Sequence, residues 1–189
     1  MTLRIGRGRW PGGSDGHALH DAPNPMTPAI EAARRANIRY RVIEFECESD
    51  RGYAEEAAAA LGVGPQMVYK TLVAKLDGRQ LVIALVPATS ELNLKALATL
   101  GGAKRAEMAT PQEAERRTGY VVGGISPLGQ RRPLATYIDS SILKLSTVYV
   151  SGGRRGLELE LSPSDLVITS GARLGEIAQG PSLHAREDE

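Results

Sequence analysis

Lys70 lies in the run VYKTLVAKL, and alternate residues of a strand share a face. Its side chain therefore keeps company with Leu72, Ala74 and Leu76. An ammonium on an apolar face is costly unless water or a partner reaches it. Either Lys70 stands at the strand's start and turns its tip back to water, or it lines a pocket and offers its charge to a carboxylate, phosphate or carbonyl oxygen. A second candidate is the loop YVVGGISPLGQRRPL, residues 120–134, where Gly123 and Gly124 precede Ile125, Ser126 and Pro127. Glycines let peptide N–H groups approach a ligand closely or adopt positive φ, and successive N–H groups can hold an oxyanion or phosphate. Pro127 fixes the direction in which the chain leaves. The plainer alternative is a glycine turn that meets no ligand. A third stretch, VSGGRRG at 150–156, offers Ser151, Gly152 and two arginines. It has neither the Walker A spacing nor the dinucleotide-binding fingerprint.

What the chain lacks narrows the chemistry further. Its 189 residues include three histidines, at positions 17, 20 and 184, all in segments that read as tails. A histidine-based zinc site or a Ser-His-Asp triad needs a histidine within the fold. Cys47 is the sole cysteine, which excludes an internal disulfide and any multi-cysteine metal site. It ends a strand and reads as packing rather than as a nucleophile. Ser126 and Ser151 have no evident general base other than a strongly desolvated Lys70. No metal and no cofactor are expected. Net charge is +1, and aromatic residues make up 4%. A domain that grips nucleic acid unaided has a pI above about 9, whereas this chain's is about 7.9. Any nucleic-acid contact should be limited in extent. Basic pairs recur at Lys104-Arg105, Arg116-Arg117, Arg131-Arg132 and Arg154-Arg155, either as scattered surface charge or as part of such a contact. No apolar run approaches the roughly 20 residues that cross a bilayer. Residues 1–25 lack the apolar stretch of a secretion signal, so a cytoplasmic protein is expected.

The elements that must position these residues are legible in outline. Residues 1–25 show no period of 2 or 3.6 and read as a disordered extension. Thr27 and Pro28 suit the cap and first position of a helix. YRVIEFEC (40–47) alternates as a strand, and YAEEAAAALG is a helix closed by Gly62. Two β-rich runs flank Asp77-Gly78, a pair suited to a type I′ hairpin. SELNLKALATLGG reads as a helix capped by Ser90 and stopped by Gly101. TPQEAERRTG reads as a helix with a Thr110/Glu113 capping box and a terminal Gly119. YVV enters the glycine loop and LATYID leaves it, as strands. TVYVSGG and LELEL are two more strands, Ser162-Pro163 opens a last helix, and residues 180–189 read as a flexible tail. About seven strands among short helices, without a regular βαβ repeat, predict a mixed α/β domain built on a curved mixed sheet or partial barrel.

MTPAIEAARRANIRYRV, VYKTLVA, TGYVVGGISPLG and YVSGGRRGLELEL stand in an order and spacing that resembles the YbaK/EbsC family, over about residues 26–179. The resemblance implies a YbaK-like fold, and a free-standing deacylase of Cys-tRNA(Pro) related to the editing domain of bacterial prolyl-tRNA synthetases. It implies as partners the 3′ end of the misacylated tRNA and prolyl-tRNA synthetase, and it matches the family's usual opening to Met26. By the same resemblance Lys70 matches the pocket lysine, and Gly123 and Pro127 the ends of a G-x-x-x-P loop that holds Gly124 and Ser126. Ser151 matches the serine of the SGG turn, and Tyr53 an aromatic residue near the pocket. Glu158 stands where close relatives have aspartate. The implied mechanism is substrate-assisted: the cysteinyl thiol attacks its own ester, with the N–H groups of Gly123–Ile125 and Lys70 stabilising charge. Two alternatives remain open at this point, editing of another misacylated tRNA such as Ala-tRNA(Pro), and a non-catalytic module that binds the tRNA end or the synthetase.

Overall fold

In the computed structural model the described residues are 4–7, 26–46 and 53–181, with side chains described for 26–46 and 53–180. In chain order the strands are β1 (Arg4–Arg7), β2 (Tyr40–Glu44), β3 (Val68–Leu76), β4 (Gln80–Pro87), β5 (Ser90–Leu92) and β6 (Ala106–Met108). They continue with β7 (Ala135–Asp139), β8 (Val148–Ser151), β9 (Leu157–Leu161), β10 (Arg173–Gly175) and β11 (Ala178–Pro181). The helices are α1 (Pro28–Arg35), α2 (Tyr53–Leu61), α3 (Leu94–Gly101), α4 (Pro111–Thr118) and α5 (Pro163–Ser170). Nine strands form one mixed sheet, ordered β1-β2-β9-β8-β3-β4-β7-β10 with β6 alongside β3, while β5 and β11 pair separately. The expected mixed α/β architecture is present, as an open sheet rather than a closed barrel.

Helices cover both faces of the sheet. Ala29, Ile30 and Ala33 of α1, Ala114 of α4 and Leu166 of α5 pack on one face, against Val42, Val73, Ile83, Leu85, Val150 and Leu159. Strand alternation sends Ala74, Leu76, Val82, Ala84 and Val86 to the other face, where Leu97 of α3 meets them. Beside them Ala57 and Ala58 of α2 lie on Ile43, Val68 and Tyr149. The alanine-rich sequence of α2 lets that helix sit close to the sheet.

Locally determined features agree with the sequence. Thr27 caps α1, its hydroxyl accepting from Ile30 N–H at 3.2 Å. Thr110 and Glu113 form the complete capping box of α4, and Gly119 closes that helix at φ 81°. Asp77 and Gly78 take φ values of 50° and 70° between β3 and β4, as a type I′ turn requires.

Features set by distant partners differ. Ser90 does not cap α3: it belongs to β5, which pairs with β11, and Asn93 takes the cap by accepting from Ala96 N–H at 3.0 Å. The left-handed residue that ends α3 is Gly102, at φ 72°, rather than Gly101. Tyr120–Val122 is not a strand, so the glycine loop joins α4 to β7 instead of two strands. Among the described residues eleven strands appear where about seven are predicted. Arg4–Arg7 pairs antiparallel with β2 in a stretch whose sequence shows no period. The strand beginning at Tyr40 ends at Glu44, and the reading of Cys47 lies outside the described residues. Among the described residues no helix is long and apolar enough to cross a membrane.

Candidate functional site

Sheet register assembles the site. Antiparallel pairing of β8 and β9 sets Ser151 opposite Glu158, and pairing of β2 and β9 sets Glu158 opposite Ile43. Parallel pairing of β3 and β8 matches Val68 to Tyr149 and Tyr69 to Val150, which carries the next residue, Lys70, level with Ser151. Lys70 in turn faces Val86 on β4. Lys70, Ser151 and Glu158 thus form one row across three neighbouring strands, and alternation points all three toward the α2 side.

Above this row lies a cavity of about 600 Å³ lined by Lys70, Ser151 and Glu158, by Tyr53 and Glu55 from α2, and by Gly123 and Ile125 from the glycine loop. Glu91 and Thr71 add further polar lining, and Leu72, Leu94, Met108 and Pro111 apolar lining. The volume falls within the roughly 300–1,000 Å³ of small-ligand sites. Of the residues singled out from sequence, Tyr53, Lys70, Gly123, Ile125, Ser151 and Glu158 line it. Gly124, Ser126, Pro127 and Gly152 do not.

Those four act as supports. Ser126 is fully buried, and its hydroxyl accepts from Leu128 N–H at 3.3 Å, so its oxygen closes a turn away from the cavity. Pro127 is buried beside it, and its carbonyl accepts from Gln130. Gly124 donates its N–H to the Val121 carbonyl at 2.9 Å, closing a turn in which Gly123 holds φ 87°. Among the described residues, the N–H groups of Gly123 and Ile125 have no protein acceptor. Gly152 donates to the Leu157 carbonyl at 2.7 Å and ties the SGG turn to β9.

The two glycine turns interlock. A Cβ at Gly124 would lie 2.7 Å from Arg154 Cα, and one at Gly123 would lie 2.5 Å from the Tyr53 ring. Arg155 sits 4.7 Å over that ring and donates Nε–H to the Val122 carbonyl at 3.2 Å. Tyr53, Arg155 and the Gly123 turn thereby form one packed rim.

Electrostatics around Lys70 are unusual. Burial pushes the Lys70 ammonium below its ordinary pKa, an effect partly offset by Glu55 and then Glu91. Lys70 Nζ also donates to the Ala88 carbonyl at 3.4 Å. Glu55, Glu91 and Thr71 carry no signal in the sequence reading. Glu55 could have been noticed as a carboxylate flanking the Ala54/Ala57/Ala58/Leu61 stripe of α2, about 60° from Ala58 at 100° per residue.

Glu158 is buried enough that desolvation raises its pKa from 4.5 to about 8. Between those values the folded protein keeps a proton that the unfolded chain has released. Stability from this group is complete below about pH 4.5 and is lost as pH rises through about 8. Glu158→Gln, similar in size and unable to ionise, should gain stability over the native protein progressively across that window and then level off. Urea unfolding at a series of pH values checks this, and a gain independent of pH would contradict it.

The aminoacyl-tRNA editing domain model matches residues 49–168, a span that contains all the described residues lining the cavity. The chain belongs to that family. Within it, the chain is 33% identical over 151 residues to an Enterococcus faecalis protein named as a candidate Cys-tRNA(Pro)/Cys-tRNA(Cys) deacylase, EbsC, spanning 80% of this chain and 92% of that one. A proline–tRNA ligase of Nitratidesulfovibrio vulgaris shares 40% identity over 88 residues, 47% of this chain but 15% of the much longer ligase. Among solved structures, a candidate trans-editing enzyme for prolyl-tRNA synthetase superposes with TM-score 0.70 at 26% identity, covering 82% of this chain and all of that one. The editing domain fold is thus present here, and with it the resemblance read from the four sequence blocks.

Proposed function

We propose that this editing domain deacylates Cys-tRNA(Pro) as a free-standing enzyme, with the substrate's own thiol as the nucleophile. The observation that carries the reading is the meeting of Lys70 and the Gly123 turn in one cavity. Prolyl-tRNA synthetase distinguishes proline from the similarly sized cysteine with difficulty, because small size differences give limited discrimination, and a second hydrolytic site is the physical remedy.

The cysteinyl sulfur, as thiolate, attacks the ester carbonyl carbon. The new C–S bond closes a small thiolactone ring while the C–O bond to the terminal ribose breaks. The departing 3′ oxygen takes up a proton, and water then opens the thiolactone to free cysteine. The protein's part is to fold the ester into a near-attack geometry and to stabilise the oxyanion. Gly123 and Ile125 N–H supply donors, and the Lys70 ammonium offsets developing negative charge. Gly124 N–H, already bonded to Val121, takes no part in this. Pro127, Ser126 and Gly152 hold the two turns, and Ser151 and Glu158 border the bound aminoacyl group.

With a net charge of +1, the domain does not itself read the body of the tRNA. A complex with prolyl-tRNA synthetase, in the cytoplasm, supplies that identity. Thiol attack predicts chemical selectivity: Cys-tRNA(Pro) is deacylated, while Ser- and Ala-tRNA(Pro) react at least about tenfold more slowly, since neither presents a thiolate. A deacylation assay on the three substrates decides. Equal rates would mean an activated water rather than the substrate's sulfur.

A further inference from the structure

The cavity holds more acid than the lysine can answer. Among the described residues its lining contains one cation, Lys70, and three carboxyl groups, Glu55, Glu91 and Glu158. Glu55 and Glu91 both act on Lys70 electrostatically. An anion such as a phosphate entering here would meet two carboxylates beside the Lys70 ammonium, so the part of the cavity around Lys70 does not suit the phosphate that sequence alone allowed for it. Buried polar atoms are almost always hydrogen-bonded, and an unmatched one destabilises the fold. Yet among the described residues Glu55 Oε1, Thr71 Oγ1 and Glu158 Oε2 are buried without a hydrogen-bond partner, and all three residues line this cavity. Glu158 is only 9% exposed and comes from a sheet strand, while Glu55 comes from a helix across the cavity. Unmatched polar oxygens that line one cavity from a helix and two strands describe a ligand that carries several N–H donors and a positive charge.

We propose that Glu55 and Glu158, with Glu91 beside them, bind the protonated α-amino group of the aminoacyl ester, so that the site takes only substrates whose α-amine is free. This rests on the reading of the cavity as an aminoacyl-ester site and assigns the part of it around Lys70. An α-ammonium group has three donors for the orphaned oxygens, and charge-assisted hydrogen bonds of this kind are the strong ones. Lys70 then lies beside Glu55 and Glu91, and Glu158, which holds a proton before the ligand binds, releases it to solvent as the ammonium binds, with the ester carbonyl extending toward the Gly123 turn. The arrangement excludes esters blocked at the amine and orients unblocked ones, because a fixed amine fixes the carbonyl two bonds away.

The test uses two non-hydrolysable mimics of the charged tRNA end, 3′-cysteinylamido-3′-deoxyadenosine and its 3-mercaptopropionyl counterpart, which lacks only the amine. Calorimetric titration of the full chain should give a Kd about tenfold or more tighter for the amine-bearing mimic. Glu55→Gln should bring the two Kd values within about twofold. Equal affinities for the native protein, or binding of neither mimic, would overturn the assignment. Deacylation of Cys-tRNA(Pro), measured separately, reports on the enzymatic reading: a preference for the amine without turnover sinks the deacylase and leaves the amine site standing.

Discussion

Lys70→Ala is expected to slow deacylation of Cys-tRNA(Pro) by about 10²–10³-fold while the protein stays folded. That magnitude is the usual effect of removing one preorganised group aimed at developing charge in a site shielded from water. The fold should tolerate the change. Burial already disfavours the Lys70 ammonium, and its bond to the Ala88 carbonyl is long, at 3.4 Å. What the variant loses is the one cation that the described residues bring to the cavity lining, leaving Glu55 and Glu91 to repel negative charge on the reacting carbonyl. Single-turnover deacylation beside a thermal melt separates the effects. The melting temperature should stay within about 2–4 °C of native, corresponding to about 1 kcal/mol in a domain near this size. Near-native turnover would remove Lys70 from the mechanism.

Local chemistry made much of the fold legible. The capping box of α4 is written in four consecutive residues, Thr110 to Glu113, and the β3–β4 turn in two, Asp77 and Gly78. The missed strands are three or four residues long, too short to show a period, and exist because of partners far away in sequence. Ser90 illustrates the conflict. By sequence it stands well before an apolar helical run, but β11 returns to pair with β5, and the Ile177 carbonyl accepts from Asn93 N–H at 2.7 Å. That strand is held in turn by Asp139, whose carboxylate accepts from Ile177 and Ala178 N–H at 2.8 Å each. No pattern near residue 90 announces a partner near residue 178.

The candidate site was legible to the same degree. Parity on β3 placed Lys70 on a definite face, but only the parallel register of β3 with β8 brings it level with Ser151. Gly123 drew notice for its missing side chain, and the positive φ and the Tyr53 ring account for that. Gly124 drew notice for the same reason, yet its N–H is committed within the turn, and its missing Cβ makes room for another loop. Glu55 and Glu91 stayed hidden because a single carboxylate on an exposed-looking element is ordinary. What marks them is the lysine between them, which is tertiary information.

That reading of Gly124 leads to the second large effect. Gly124→Ala should lower deacylation about 100-fold even though the residue touches no substrate. The added Cβ would stand 2.7 and 2.8 Å from Arg154 Cα and C, and 3.0 Å from Arg155 N. These are backbone atoms, which cannot swing aside as a side-chain tip does. The turn at 152–155 must therefore retreat from the Gly123 turn, taking Arg155 off the Tyr53 ring and away from the Val122 carbonyl. A displacement near 1 Å in a group that positions the reaction can cost about 10²-fold in rate, while overpacking of this kind costs about 1–3 kcal/mol of stability. The variant should remain folded by circular dichroism and melt several degrees lower. Arg155→Ala, which leaves both backbones in place, should cost far less activity, and this contrast assigns the effect to the spacing of the turns rather than to the guanidinium. If Gly124→Ala turns over normally, the interlock of the two loops has no part in holding the Gly123 N–H on the reacting carbonyl.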